Sequence, residues 1–502
     1  MSTPTPATTG GRAPATPETG RRRWLVLGVV LTAAFMILLD ATIVNVAIPT
    51  IGRDLQASEA AVQWVVAGYT LAYGLLLIPA GRLGDRFGHR RVLLIGLVGF
   101  TATSALCGAA SSPGELVAWR IAQGAMAGVL NPPVLAIIRS VFPTRELGKA
   151  FDWYGAMAGV CTAAGPLLGG LLIAGDLGGL DWRPIFLINV PVGVVTLALV
   201  LALVPEARGR AGDLDPVGIA LITGSLLLLT VPLVQGRQLG WPAWTITCLV
   251  LVVPSLGLFI AWERHRARHN RTPLVDVALF SQRSFAAGVA VALVHFAAFI
   301  GLVFTLSLYL QLGAGQSALS TGLVLMAFAL GTLISAAASD PLTDCLGRGV
   351  LLIGAGLLTT GIAAALLALA LTPTPVVWWL IPGLAVAGIG NGLVIAPVTT
   401  VVLAGVDRRD AGAASGVLNT AQRIGQALGT ALLGLILFTT LATALTGGAT
   451  PLAAYTRAIE LALLGALAAA AATFALVFAL PRVPHHQRGP HPATTPGSKE
   501  KR

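Results

Sequence analysis

The sequence predicts an all-α polytopic membrane protein with fourteen transmembrane helices, grouped as two six-helix bundles with two additional central helices between them. Three observations predict it: a composition too apolar for any water-soluble surface, a succession of apolar runs of bilayer-crossing length, and two patterns that recur at nearly one offset. The set AVILMFWYC makes up 55% of the 502 residues, and adding the 59 Gly while leaving out the 5 Tyr brings the apolar share to about 66%. A soluble domain holds ~45–50%. Charged residues are only 11%, where ~25% is usual. Soluble cytosolic enzymes, nucleic-acid-binding modules and secreted disulfide scaffolds are thereby excluded. Cys107, Cys161 and Cys248 lie in apolar runs and Cys345 in a short connection, with no metal or disulfide spacing among them. Small-residue packing is their expected role.

About twenty apolar residues cross the ~30 Å hydrocarbon core. The runs fall at about 24–47, 61–80, 92–111, 115–138, 149–174, 185–204, 216–235, 243–262, 285–309, 319–338, 350–371, 376–403, 413–438 and 457–480. Residues 1–23 and 481–502 are poor in apolar side chains and rich in Pro, Thr and charge, and both are expected to be disordered tails. Arg21, Arg22 and Arg23 before an apolar run resemble the start of an export signal, but the run is too long and lacks a cleavage site, so it is a retained first helix. With the N-terminus in the cytoplasm, 26 of the 32 Lys and Arg residues fall on the cytoplasmic side. The outer side holds only Arg53, Arg183, Arg237 and Arg457, while Arg120 and Arg423 lie inside helices. The positive-inside rule then puts both termini in the cytoplasm. The formal charge of +11 and the pI near 10.4 therefore reflect topology and attraction to anionic lipid, not a nucleic-acid partner.

An internal repeat orders the spans. Leu83, Asp85 and Gly88 after the second run match Leu342, Asp344 and Gly347 after the tenth at an offset of 259, and Gly124, Gly128 and Pro133 match Gly388, Gly392 and Pro397 at an offset of 264. A duplicated six-helix unit follows, with residues 24–204 as one bundle, 285–480 as the other, and 205–284 as a linker carrying inserted helices 7 and 8. Paired bundles suit alternating access around a central cavity.

Several stretches carry a resemblance. Gly81-Arg-Leu83-Gly-Asp85-Arg86-Phe-Gly88-His-Arg90-Arg91 is similar to the signature between helices 2 and 3 of the major facilitator superfamily, and fourteen spans point to its drug:proton antiporter branch. Leu39-Asp40-Ala-Thr42-Ile-Val-Asn45-Val-Ala-Ile-Pro49, Arg120-Ile-Ala-Gln123-Gly124, Gly165-Pro166-Leu-Leu-Gly169-Gly170 and the stretch from Trp182 to Gly193 also resemble that branch, over about residues 24 to 480. Two departures stand out: Cys161 occupies a position where a glycine is usual, and the second-half loop has lost most of its basic residues. The resemblance implies the major facilitator fold, an antiporter motif at Gly165, Pro166, Gly169 and Gly170, and export as the direction of transport.

Read from their own chemistry, Gly81, Gly84 and Gly88 allow a tight reversal, and Asp85 is expected near the amino end of helix 3, where a helix dipole favours an anion. Arg86, Arg90 and Arg91 can pair with Asp85 or with carbonyl ends across the bundle, forming a gating cluster that differs between access states. The alternative is a plain topology anchor. Asp40 lies deep in helix 1, where a carboxylate costs at least ~2.5–3.5 kcal/mol at the bilayer centre, which makes it the candidate proton carrier. The alternative is an interfacial Asp bonded to Thr42, Asn45 or a helix end. Arg120 either snorkels to the interface or, as the resemblance implies, adjusts the proton site; its repeat-mate is Leu384, so the charge was kept once. His295 can titrate near neutral pH, although a lone buried His is more often a satisfied hydrogen-bonding residue. Asn45, Gln123, Asn131, Gln311 and Asn391 are cavity candidates together with His295, with interhelical hydrogen bonding as the equal alternative.

The expected function is a proton-coupled antiporter that exports amphipathic organic compounds, drugs or antibiotics, across the cytoplasmic membrane by alternating access, with a proton-coupled importer of a small metabolite as the runner-up. An intramembrane enzyme would need a His-Glu-x-x-His run, a Gly-x-Ser-x-Gly elbow or paired carboxylates, and the sequence offers none. No Walker sequence occurs, so the proton gradient is the expected energy source and no cofactor or metal is expected. The expected partners are a small-molecule substrate, protons and the lipid bilayer, with the chain acting as a monomer. Arg outnumbers Lys 29 to 3, which suggests a GC-rich bacterial genome. The topology is directly testable: in a cysteine-free background, single cysteines at positions 55, 238 and 448 should react with an impermeant thiol reagent from outside intact cells and those at 88, 210 and 270 should not, and labelling at 210 would overturn the fourteen-helix map.

Overall fold

The computed structural model describes residues 20–206, 215–236, 238–269, 271, 273–275, 277–371, 377–403, 406 and 411–480. Residues 1–19 and 481–502, which contain most of the two expected tails, lie outside the described residues, as do Arg208, Arg210, Arg237, Arg408 and Arg409 of the charge count. The described chain is helical throughout with no strand. The first bundle consists of α1 (Gly20–Asp54), α2 (Glu59–Phe87), α3 (His89–Ala109), α4 (Pro113–Val141), α5 (Thr144–Ala174) and α6 (Pro184–Leu203). Then come α7 (Pro216–Gln235) and α8 (Ala243–Arg268), followed by the second bundle of α9 (Arg283–Gly313), α10 (Ala318–Ala337), α11 (Gly349–Leu371), α12 (Leu380–Leu403), α13 (Ala411–Thr446) and α14 (Pro451–Val477). Thirteen of these are long and apolar enough to cross a membrane, and α5 makes the fourteenth as a span bent by 42° between Cys161 and Ala164. Pro166 explains the bend, because its ring excludes the preceding turn and it offers no N–H to the carbonyl four residues back.

In hydrocarbon every backbone polar group must be satisfied within the protein, which leaves helices as the economical solution for such apolar segments. Their starts are marked by short polar side chains: Ser58 accepts from the Ala61 N–H, Ser112 from Glu115, Asp215 from Gly218, Ser317 from Ser320 and Thr450 from Ala453. Two boundaries differ from those expected. Residues 20–23, placed in the tail by their charge, are the first turn of α1. Residues 81–87, expected as a loop, complete α2, and a further short helix at Ser339–Leu346 follows α10. Gly81 and Gly84 serve packing on a continuous helix, and the reversal falls on Gly88 alone, at φ +98°.

The repeat is visible in contacts. In the first bundle Gly124 and Gly128 of α4 lie so close to α2 that an added Cβ would stand 2.2 Å from the Tyr69 carbonyl oxygen and 2.6 Å from that of Tyr73. In the second bundle Gly388 and Gly392 of α12 bring the same positions to 2.0 Å from the Phe328 carbonyl and 2.3 Å from that of Thr332 on α10. Phe328 and Thr332 are the residues that the 259 offset pairs with Tyr69 and Tyr73. The two bundles meet along α2 with α13, α5 with α10, and α1 with α9, while α7 lies over the α2–α13 seam and α8 packs mainly on α7. The most apolar window of α8 is only 11% buried, which makes α8 the most lipid-facing of the spans.

Because the close approach leaves no room for a side chain, Gly124→Val and Gly388→Val should each lower thermal stability in detergent by the equivalent of ~1–3 kcal/mol or more. Gly28→Val, with nothing within 4 Å of its added Cβ, should be neutral. Equal stability of all three proteins, followed by melting of the purified samples, would contradict the packing.

Candidate functional site: a buried ion pair in the first bundle

Asp40 on α1 is buried, and its side chain is fully enclosed together with that of Arg120 on α4. The guanidinium Nη1 donates to Asp40 Oδ2 at 2.6 Å and to Gln123 Oε1 at 2.8 Å, while Nε donates to the Val65 carbonyl of α2 at 3.1 Å. The other carboxylate oxygen, Oδ1, accepts from Gln123 Nε2 at 3.0 Å and from Asn189 Nδ2 on α6 at 3.4 Å. Ser104 Oγ on α3 accepts from both of those amides at 3.1 Å and donates to the Phe186 carbonyl at 2.9 Å. Arg120 lies over the Tyr69 ring at 4.1 Å, and the Tyr69 hydroxyl donates to the Ile37 carbonyl at 3.3 Å. Five helices therefore contribute to the network around one carboxylate. Removing either charge alone would strand the other in an apolar interior, a loss of ~3–5 kcal/mol for a buried pair. A proton is the one small ligand that can take Asp40 out of the pair without removing atoms.

Arg120 does not snorkel; it points inward, and its Nη2 lacks a hydrogen-bond partner among the described residues. Asp40 likewise does not bond to Thr42 or Asn45. Thr42 donates instead to the Leu39 carbonyl at 3.0 Å and to the Cys161 carbonyl of α5 at 3.2 Å. Sequence reasoning missed Ser104 and Tyr69 as members of this site, and it met Asn189 only as one residue of the Trp182–Gly193 stretch.

The cavity candidates do not form one cluster. Gln123 belongs to the ion-pair network. Asn45 and Gln311 sit where the bundles touch near the α1–α2 turn: Ser307 Oγ of α9 donates to the Asn45 carbonyl at 2.6 Å, and Gln311 Nε2 donates to the Val46 carbonyl at 2.8 Å. Pro49 has no N–H to give to the Asn45 carbonyl, so Ser307 from the opposite bundle supplies the missing donor. Asn45 Oδ1 and Gln311 Oε1 remain buried without partners among the described residues. Asn131 accepts from the Tyr154 hydroxyl of α5 at 3.3 Å. His295 is fully buried, with Nε2 2.9 Å from Asn391 Oδ1, and Asn391 Nδ2 donates to Thr332 Oγ1 at 3.2 Å. That triad occupies helices α9, α12 and α10, the repeat-mates of α1, α4 and α2.

At the α2–α3 reversal the expected arginine partners of Asp85 are replaced by His89, whose Nε2 is 3.3 Å from Asp85 Oδ1. Asp85 lies in the last turn of α2 and not at the start of α3, because the helix runs on to Phe87. Arg86 stacks over Phe87 at 5.5 Å, and Arg90 donates to the Leu201 carbonyl at the end of α6. An added Cβ on Gly88 would stand 2.2 Å from the Glu206 carboxylate. In α5, Gly165 and Gly169 admit α1, their missing Cβ atoms standing 2.1 Å from Thr42 Oγ1 and 2.9 Å from the Ile43 carbonyl, while Gly170 faces Ala318 and Leu319 of α10. This motif thus wedges one helix between its own bundle and the other. Trp182 and Arg183 tie the start of α6 to the end of α1, donating to Asp54 Oδ2 at 2.8 Å and 3.1 Å. In the same turn burial, helped by the carboxylates of Asp54 and Asp176, pushes the Asp181 carboxyl up from its ordinary range. No cluster of three or more metal-ligating side chains occurs among the described residues.

Similarity to known proteins agrees with this architecture. The profile of the Major Facilitator Superfamily matches residues 30–430. A probable actinorhodin transporter of Streptomyces coelicolor is 39% identical over 82% of this chain and 72% of its own length. The tetracenomycin C resistance and export protein of Streptomyces glaucescens is 33% identical over 82% and 75%, and the multidrug resistance protein Stp of Mycobacterium tuberculosis is 34% identical over 81% and 74%. Among solved structures, a bacterial homologue of the human lysosomal transporter Spinster, inward-facing and occupied, superposes with a TM-score of 0.66 at 17% identity over 92% of this chain and 97% of that one. The chain is a multi-pass membrane transporter and not an enzyme, and it belongs to the Major Facilitator Superfamily, in its drug-efflux branch.

Proposed function

We propose that the protein is a proton-coupled antiporter that exports amphipathic organic compounds across the bacterial cytoplasmic membrane by alternating access, working as a monomer with both termini in the cytoplasm and without nucleotide, metal or other cofactor. The observation that carries this reading is the enclosed Asp40–Arg120 pair at the meeting of five helices. With Asp40 ionised, the pair and its amide donors hold α1, α4 and α6 together. With Asp40 protonated, Arg120 keeps its charge but loses its counter-ion, and the balance between two packings of α1 shifts. α1 is also the helix that Ser307 and Gln311 latch to the second bundle. A change at Asp40 is therefore transmitted along α1 to its contact with the second bundle near the α1–α2 turn, on the side that the positive-inside reading places outside the cell. The export direction is supported by the α5 motif and by relatives named for antibiotic export and resistance.

With Asp40 as the carboxylate at the centre of the network, a low proton count is expected. One pH unit supplies ~1.36 kcal/mol per proton, and a potential of about 100 mV supplies ~2.3 kcal/mol per charge. Exchange of one proton for one neutral molecule draws on both, ~3.7 kcal/mol, enough for a gradient of roughly 500-fold. Exchange for a monovalent cation moves no net charge and stops at about 10-fold.

Asp40→Asn should abolish proton-driven uphill accumulation in inverted vesicles while downhill exchange of substrate survives. Continued concentration of substrate by this variant under an imposed pH gradient would make Asp40 structural. A second test separates charge balance from shape. Arg120→Gln strands the Asp40 carboxylate and should lower stability by ~3–5 kcal/mol at neutral pH, whereas the double variant Asp40→Asn with Arg120→Gln should recover most of that loss. If the double variant melts no higher than Arg120→Gln alone, the two residues are not acting as a pair.

A further inference from the structure

A guanidinium stays charged inside a protein, and holding one near mid-bilayer costs at least ~2.5–3.5 kcal/mol on insertion scales. Such a residue is expected to carry a counter-ion. Arg120 has Asp40. Arg423 on α13 has none: among the described residues no carboxylate pairs with it. It crosses the seam between bundles at Gly74, near the midpoint of α2, where the absent Cβ leaves room for its own Cβ, 2.7 Å from where one would stand. Its Nη1 donates to Gln426 Oε1 at 3.2 Å and its Nη2 to the Tyr73 hydroxyl at 3.4 Å, with the guanidinium over the Tyr73 ring at 4.2 Å. These partners are neutral. Arg423 is also not fully enclosed, unlike Arg120, so it remains open to a ligand.

We propose that Arg423, with Tyr73 and Gln426, forms an anion subsite in the substrate path, and that the transported compounds are amphipathic aromatic molecules carrying one negative charge, as a carboxylate or phenolate. The proposal rests on the export reading above and narrows its substrate class. A planar guanidinium recognises a carboxylate through paired N–H donors, and the Tyr73 ring beneath it offers an edge to an aromatic body. The same residues connect the subsite to the proton site: the Tyr73 ring under Arg423 meets the Tyr69 ring edge-on at 6.2 Å, and Tyr69 lies under Arg120. Ligand charge at Arg423 and protonation of Asp40 thus act on opposite ends of one stack of rings and cations. Export of a monoanion against an entering proton moves two charges per cycle, so turnover should generate current.

Three fluorescent probes of one shape test this in the purified full-length protein: 9-anthracenecarboxylate, the neutral 9-anthracenemethanol and the cationic 9-(aminomethyl)anthracene. Wild-type protein should bind the anion at least ~10-fold more tightly than either other probe, a difference of about 1.4 kcal/mol. Arg423→Gln should erase that preference while leaving affinity for the neutral probe within about twofold, and Arg423→Lys should keep part of it. Equal binding of the three probes by wild type, no binding of any, or an unchanged preference in Arg423→Gln would overturn the subsite. Uptake into acid-inside inverted vesicles distinguishes this failure from that of the export reading. Proton-driven uptake of the neutral probe without preference for the anion overturns the subsite and leaves export standing. Arg423-dependent anion binding without gradient-driven uptake leaves the subsite standing and overturns proton-driven export.

Discussion

The contact between Arg120 and Asp40 is the constraint around which the first bundle is arranged. A carboxylate with no exposed surface, inside a chain built mostly of Ala, Leu, Val and Gly, cannot be left to itself. It needs a counter-ion and enough neutral donors to occupy its lone pairs, and those must come from helices distant in sequence. Gln123 is one turn from Arg120 on α4, Asn189 opens the main segment of α6, and Ser104 on α3 orients both amides by accepting from each. The small residues serve the same end. Gly124 lets α4 approach α2 closely enough for the Val65 carbonyl to receive Arg120 Nε. The arrangement is costly to assemble, and on the proposed reading it responds to one ligand above others, a proton on Asp40.

What makes that response useful is its connection to the second bundle. Two features of imperfect helix chemistry supply it. Pro49 deprives the Asn45 carbonyl of its helical donor, and Ser307 of the opposite bundle fills the vacancy, so a defect in α1 becomes an interdomain bond. Pro166 bends α5, and Gly165, Gly169 and Gly170 let the bent segment contact α1 on one side and α10 on the other. The seam of α2 and α13 carries a third link, through Tyr73 and Arg423. Charge and helix geometry therefore share the same elements, which is what the proposed coupling of a local protonation to a rigid-body movement requires.

Much of this was legible in the sequence, for physical reasons. Spans of this apolarity have no other stable form in lipid, and the glycine pairs 124/128 and 388/392 recur because both halves solve the same close-packing problem against α2 and α10. Asp40 and Arg120 stood out as rare charges in apolar helices. Other features left no local mark. Gly81 and Gly84 read as a turn because a glycine permits a reversal and a close approach equally well; here Gly84 makes room for His89 while the helix continues to Phe87. Ser104 and Asn189 are ordinary polar residues on apolar helices, and only the fold shows that Asn189 donates to the Asp40 carboxylate and that Ser104 holds the amides of Asn189 and Gln123. The cavity candidates were chosen for polarity alone, and the structure distributes them among the ion-pair network, the α1–α9 contact, the Tyr154 hydroxyl and the His295–Asn391 pair. Arg423 stands out in the sequence as a charge inside a helix that needs a partner such as Asn419 or a carbonyl; Asn419 donates instead to the Ser415 carbonyl, Gln426 one turn on takes its place, and Tyr73 could not be read from spacing because it lies in the other bundle.

The central claim is that Asp40 exchanges its proton against substrate. Infrared difference spectroscopy of the reconstituted protein measures this directly, by following the C=O stretch of a protonated carboxyl as substrate is added at fixed pH, with Asp40→Asn used to assign the band. The account predicts a carboxyl band that is present in the substrate-free protein at mildly acidic pH, diminishes on substrate binding as a proton enters the medium, and is missing in Asp40→Asn. A spectrum in which Asp40 stays ionised across the pH range, with substrate binding and no release of protons, would contradict it.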